Sequence, residues 1–228
     1  MNESHSNEQN SRDDQVARWM NYRRKYMPPE NILPAAWPFT LTLASSDQAG
    51  VGIVGGQVYP NGLAFEVRVL LRLEDAGNLQ TARLFSFGHQ IPGMKEMRPT
   101  EILRLGFRFA DGRTVTNLDE PLVPNVFVER DNRSPRITPV GGSGSGRTWH
   151  SQVYLAPLPP DGPLEIACEW HSFGIPETRA TVDVTGLSAV AASLKELWPD
   201  EPPREFKPRP LKFGDAGDSF FRPIINDK

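Results

Sequence analysis

Between residues 63 and 73 an apolar side chain stands at every second position: Leu63, Phe65, Val67, Val69, Leu71 and Leu73. Glu66, Arg68 and Arg72 take alternate positions between them. Successive side chains of a strand point to opposite faces, so an extended run sends all six to one core, whereas a helix scatters them around its axis. A long strand with one apolar face commits the chain to a sheet that is covered on that side.

The rest of the middle repeats the pattern. Phe39, Leu41 and Leu43 alternate with threonines, and Leu103, Leu105, Phe107 and Phe109 alternate with Arg104 and Arg108. Pro60-Asn61-Gly62 separates an arm at 51–59 from the arm at 63–74, which reads as a hairpin. Ala110-Asp111-Gly112 turns the chain into 114–117, because Asp-Gly tolerates the positive φ of tight hairpins. Further strands fall at 148–155, 164–173 and 177–184. About eight short strands with turn signals between them point to an antiparallel sandwich or barrel. Rossmann and TIM folds need alternating helices, and residues 39–184 carry no such pattern. The fold class expected is mainly β, an antiparallel β-sandwich of Ig-like or jelly-roll-like kind, with one helix before it and one after.

The polar residues 1–12 have nothing to bury and are expected as a disordered tail. Asp13 and Asp14 suit a helix start, and Val16, Trp19, Met20 and Met27 recur on one helical face, which predicts a helix over 13–28 ended by Pro28 and Pro29. Arg23, Arg24 and Lys25 fall in its last turns, where positive charge complements the helix dipole. Leu187, Val190, Ala191, Leu194 and Leu197 predict a closing helix over 187–198, stopped by Pro199. The sandwich domain thus spans 37–198. Residues 199–228 form a tail rich in proline with Phe206, Phe213, Phe220 and Phe221, suited either to packing across its own domain or to binding a partner as a linear motif.

Composition narrows the function classes. The 22 prolines among 228 residues sit mostly between strands, at helix ends and in the tail, so they punctuate a folded β domain. A net charge of −3 gives no electrostatic reason to expect nucleic acid or an anionic membrane. The lone Cys168 excludes an internal disulfide and any multi-cysteine metal site. With no signal-like apolar stretch and no disulfide, the expected compartment is the cytoplasm.

Three features invite a chemical reading. The string from Gly141 to Thr148 satisfies G-x-x-x-x-G but has Arg147 where a phosphate-binding loop has lysine, and a strand pattern follows it, so it reads as a flexible loop. It closes a long segment, 118–147, that can cover an opening or meet a partner. If 148–155 and 164–173 pair as a hairpin, His150, Glu169 and His171 share one outer face and can hold zinc or supply acid–base chemistry. The competing reading is the polar outer face of an antiparallel sheet. His89 reads as a turn residue. Cys168, Trp149 and Trp170 alternate onto the apolar face as core residues.

The segments 105–119 (LGFRFADGRTVTNLD) and 146–160 (GRTWHSQVYLAPLPP), with Cys168-Glu-Trp170 and 174–178, resemble hypothetical proteins of actinobacterial type. That resemblance implies a single cytoplasmic β-rich domain and brings no activity, cofactor or catalytic residue with it. The leading expectation is a non-enzymatic β-sandwich that binds another protein through its C-terminal tail or the 118–147 segment, with no cofactor. The alternative is a metal- or small-molecule-binding sandwich, hydrolytic in one form, using His150, Glu169 and His171.

Overall fold

The computed structural model describes residues 3–72, 98–119 and 134–200. The order of elements is α1 (Glu3–Tyr26), β1 (Ala35–Ser45), β2 (Ala49–Tyr59), β3 (Gly62–Leu71), β4 (Arg104–Arg108), β5 (Thr114–Thr116), β6 (Arg136–Ser145), β7 (Thr148–Ala156), β8 (Pro163–Trp170), β9 (Ile175–Asp183) and α2 (Leu187–Ser193). The strands form two antiparallel sheets, ordered β1-β2-β3-β7-β6 and β5-β4-β8-β9. They face each other as a β-sandwich, with β1 against β8 and β9 at one side and β5 against β6 at the other.

Alternation builds the core. Leu63, Phe65, Val67, Val69 and Leu71 of β3 point inward together, as do Leu105 and Phe107 of β4 and Leu164, Ile166, Cys168 and Trp170 of β8. Phe65 and Phe107 stack between the sheets with ring centres 5.6 Å apart. The two-residue turn at Pro60-Asn61 sets the β2–β3 register from the Tyr59–Gly62 pair onward.

Three asparagines, Asn31 and Asn117 buried and Asn61 half-buried, hold irregular backbone where ladders stop. Asn117 prolongs the β5–β4 pairing with its amide, accepting from Leu105 N–H and donating to the Leu103 carbonyl, both at 2.8 Å. The Asn61 amide donates to the carbonyls of Arg24 and Met27 and accepts from the Tyr154 hydroxyl, which ties the end of α1 to the first sheet. Asn31 joins the two ends of the domain: its amide donates to the Trp198 carbonyl and its own carbonyl accepts from Leu197 N–H.

Both helices differ from expectation. Residues 1–12 read as a disordered tail, yet α1 starts at Glu3, because no proline or glycine interrupts residues 3–26. Its buried face is also shifted. Val16 and Trp19 are exposed, whereas Tyr22 and Tyr26 are buried against Tyr59, Ala64, Tyr154 and Ala156 on the outer face of the first sheet. The amphipathic tyrosine rings carry the docking, and the guanidinium of Arg136 lies 4.3 Å from the centre of the Tyr26 ring. The closing helix spans only Leu187–Ser193 rather than 187–198. Past Leu194 the backbone is extended and is captured by the bridge between Ile32 and Glu196, so Leu197 and Trp198 stay exposed.

Two expectations in the middle also fail. The glycine-rich string is not a loop: Gly141–Ser145 is the second half of β6, paired with β7. Segments 148–155 and 164–173 do not pair with each other. β7 lies between β3 and β6, and β8 lies between β4 and β9. The linker between them contains Pro157, Pro159 and Pro160 and passes from one sheet to the other, a separation of about 10 Å that a tight turn cannot span. Met1–Trp198 is one compact unit. The Pro/Phe-rich tail, beyond Pro199 and Asp200, and His89 lie outside the described residues. Among the described residues, no helix is long and apolar enough to cross a membrane.

Candidate functional site

The zinc reading needed His150, Glu169 and His171 on one face of one hairpin. The structure brings together only the last two. Glu169 accepts a hydrogen bond from Arg104 at 2.7 Å and lies 2.9 Å from Nε2 of His171, which stands in the turn after β8. His150 belongs to the other sheet, opposite Arg68 on β3 and Ser143 on β6, with its Nε2 3.3 Å from the Ser143 hydroxyl. Among the described residues, no three His, Cys, Asp or Glu side chains are grouped to hold a metal ion. Cys168 is buried, and burial pushes its thiol up to about 12, so it is no nucleophile near neutral pH.

The outer face of the second sheet is an alternating charge ladder. Arg108 pairs with Glu165, Arg179 reaches both Glu165 and Glu177, and Arg104 pairs with Glu169. Glu165 and Glu169 each have an arginine across the strand, and Glu177 has Arg179 two residues along its own, so these charges neutralise one another, while Asp183 accepts from the backbone N–H and hydroxyl of Thr185. This is the polar outer face that the sequence also allowed.

The sheet edges discriminate more sharply. A terminal strand presents unpaired backbone groups, and folded chains blunt such edges with proline, bulges, charge or shortness. β1 carries Pro38 within an irregular register and lies against β9. β5 is three residues long. β9 carries Pro176 and the charged Glu177, Arg179 and Asp183. In β6, Pro139 and a register shift guard the first half. The second half, Gly141 to Ser145, has no proline and no charge, and Gly141 through Gly144 are exposed.

The hairpin geometry fixes which groups on that half face outward. β6 and β7 are joined through Gly146 and Arg147, with Ser145 paired to Thr148. The pair flanking a two-residue loop exchanges both hydrogen bonds, and bonded and non-bonded pairs then alternate. Ser145 and Ser143 therefore bond to β7, while the N–H and C=O groups of Gly144 and Gly142 point away from it. The positive φ of 57° at Gly146 suits this tight loop. Inward of the same strand lies the indole of Trp149. A Cβ at Gly144 would strike that ring, and one at Gly142 would come 2.8 Å from the His150 carbonyl oxygen. Glycine at both positions lets β7 fill the inner face beneath β6.

From sequence, the residues of this edge carry a partial phosphate-loop pattern and are expected as a flexible loop between strands. Glycine-rich composition hides a strand, because its pairing is set by the neighbour and not by its own side chains. The detectable signal was the Ser-Gly-Arg-Thr turn ahead of the 148–155 strand. In comparison with known proteins, the chain matches no family model, no curated protein and no solved structure.

Proposed function

We propose that the chain is a protein-binding module, not an enzyme, and that it takes up an extended polypeptide segment by strand addition at β6. The observation that carries this is a half-edge that no strand among the described residues covers, where Gly142 and Gly144 offer outward N–H and C=O groups and residues 141–145 hold no proline or charge to turn a strand away. Main-chain hydrogen bonds supply affinity in this mode of recognition, and side-chain space beside the edge supplies selectivity. The edge lies within the 118–147 segment that the sequence marks as a partner-binding region.

The test is selection of displayed extended peptides on the immobilised protein, repeated with Gly141→Lys/Ser143→Lys. Both positions are exposed, and a Cβ at Gly141 meets nothing within 4 Å, so the variant keeps the wild-type unfolding midpoint. Two edge lysines oppose strand pairing. Selected peptides are expected to lose at least about tenfold in affinity, or about 1.4 kcal/mol. Peptides that bind the variant as well as the wild type, or the recovery of no binders, would end the strand-addition reading.

A further inference from the structure

We infer that the strand added at this edge is β6 of a second copy of the same chain, paired antiparallel across a two-fold axis at Ser143; the inference rests on the strand-addition reading. The outward backbone groups belong to Gly142 and Gly144, which stand symmetrically about Ser143. An axis through Ser143 sets Gly142 of each copy opposite Gly144 of the other. Each such pair is a bonded pair, so every outward N–H and C=O of the two residues finds a partner. A self-complementary patch is what a two-fold interface requires.

Side chains favour the same occupant. No charged residue lies between Arg136 and Arg147, so two copies of the edge do not repel each other. On the inner face, the Trp149 ring of each copy lies beside its own Gly144. In this register it meets Gly142 of the other copy, where no side chain obstructs it. An unrelated strand with a side chain at that position has to find room beside the ring. The contact is limited to about five residues per copy, because the hairpin turn ends it on one side and the bulge after Pro139 on the other. An interface of that size lies below the range of permanent dimers, so association is weak and concentration-dependent.

Cysteine cross-linking reads the register directly. In this arrangement Ser143 faces its own copy in a non-bonded pair, where Cα atoms are about 4.5 Å apart and side chains share a face. Ser143→Cys is expected to form a disulfide-linked dimer of the 25.5 kDa chain on mild oxidation. Gly141→Cys should cross-link at least about tenfold more slowly, since four residues of strand, about 13 Å, separate the two copies of that position. Cys168, 1% exposed, gives no competing reaction. Sedimentation of the wild type should show a monomer–dimer equilibrium that Gly141→Lys/Ser143→Lys shifts to monomer. Equal cross-linking rates for the two cysteine variants, or a wild type that stays monomeric while Ser143→Cys stays reduced, would overturn the inference. If selected peptides still bind the edge of that monomer, strand addition survives and self-pairing alone falls; if they do not, both fall.

Discussion

Cys168, the single thiol of the chain, owes its chemistry to its place on β8. Alternation from Leu164 to Trp170 places its thiol on the core face, and it lies there with Ile166 and Trp170, all shielded from water. Burial first, and the negative charge of neighbouring Glu169 second, push the thiol up to about 12. A group whose folded pKa lies above its unfolded one contributes stability that is whole below the unfolded value and is lost as pH rises through the folded one. The wild type should therefore weaken from about pH 9 upward. Tyr154 and Tyr59, also pushed up by burial, add to the decline with the same sign. Cys168→Ala is expected to be less stable at pH 7 by about 1 kcal/mol, with a shallower decline between pH 9 and 11 in urea midpoints. A slope equal to that of the wild type would remove the thiol from this account. Asn31, Asn61 and Asn117 were the opposite case. Nothing local marks an amide that closes a ladder or caps a distant helix, because its partners lie 12 to 167 residues away.

The elements divide by whether their own side chains set their position. β3, β4 and β8 were legible because one face of each is apolar and the period of two survives any choice of neighbour, whereas β2, whose inward set shifts at the bulge between Ile53 and Gly56, was placed by the Pro60-Asn61-Gly62 turn that follows it. β6 was not legible, since glycine and serine carry no such pattern. The β7–β8 pairing failed for a different reason: a short proline-rich linker can close a hairpin or cross between sheets, and sequence spacing alone does not separate the two. The zinc reading fell with that pairing. α1 was placed, but its docking face was misread, because only Met, Val and Trp were counted as apolar and the packed residues were Tyr22 and Tyr26. Its outer portion stands off the domain, with Asp14, Val16, Ala17 and Arg18 all exposed. Removing residues 1–18 should thus change the urea midpoint by less than the equivalent of about 0.5 kcal/mol. Asn61→Ala leaves the carbonyls of Arg24 and Met27 and the Tyr154 hydroxyl without their amide partner, and should cost about 1–3 kcal/mol. Hydrogen exchange in that variant should quicken first in the last turns of α1. A truncation more damaging than Asn61→Ala would contradict the docking described.

At the scale of the molecule, each sheet is stitched from strands far apart in sequence. β3 pairs with β7 along eight registered positions, from Leu63–Leu155 to Leu70–Thr148, and β4 pairs with β8 along five. A contiguous stretch such as β1–β3 buries nothing on its inner face until β4 and β8 arrive from the opposite sheet. Phe65, Phe107 and Trp170 then share one core. Neither half holds a core of its own, so the sandwich should unfold in a single step. Tryptophan fluorescence and far-ultraviolet circular dichroism should give coincident urea transitions. Long-range pairing of this kind also places refolding in the millisecond-to-second range typical of β-sandwiches. The sharper check is a fragment of residues 27–72, which holds all of β1, β2 and β3. It is expected to show no cooperative transition alone, because its sheet exposes Ile53, Val58, Phe65 and Val67, each 0 or 1% exposed in the whole domain. Within the full chain, Trp170→Leu on the second sheet should shift both probes by the same amount, about 2–4 kcal/mol. Two separated transitions in that variant, or a folded 27–72 fragment, would mean that the first sheet is stable without the second.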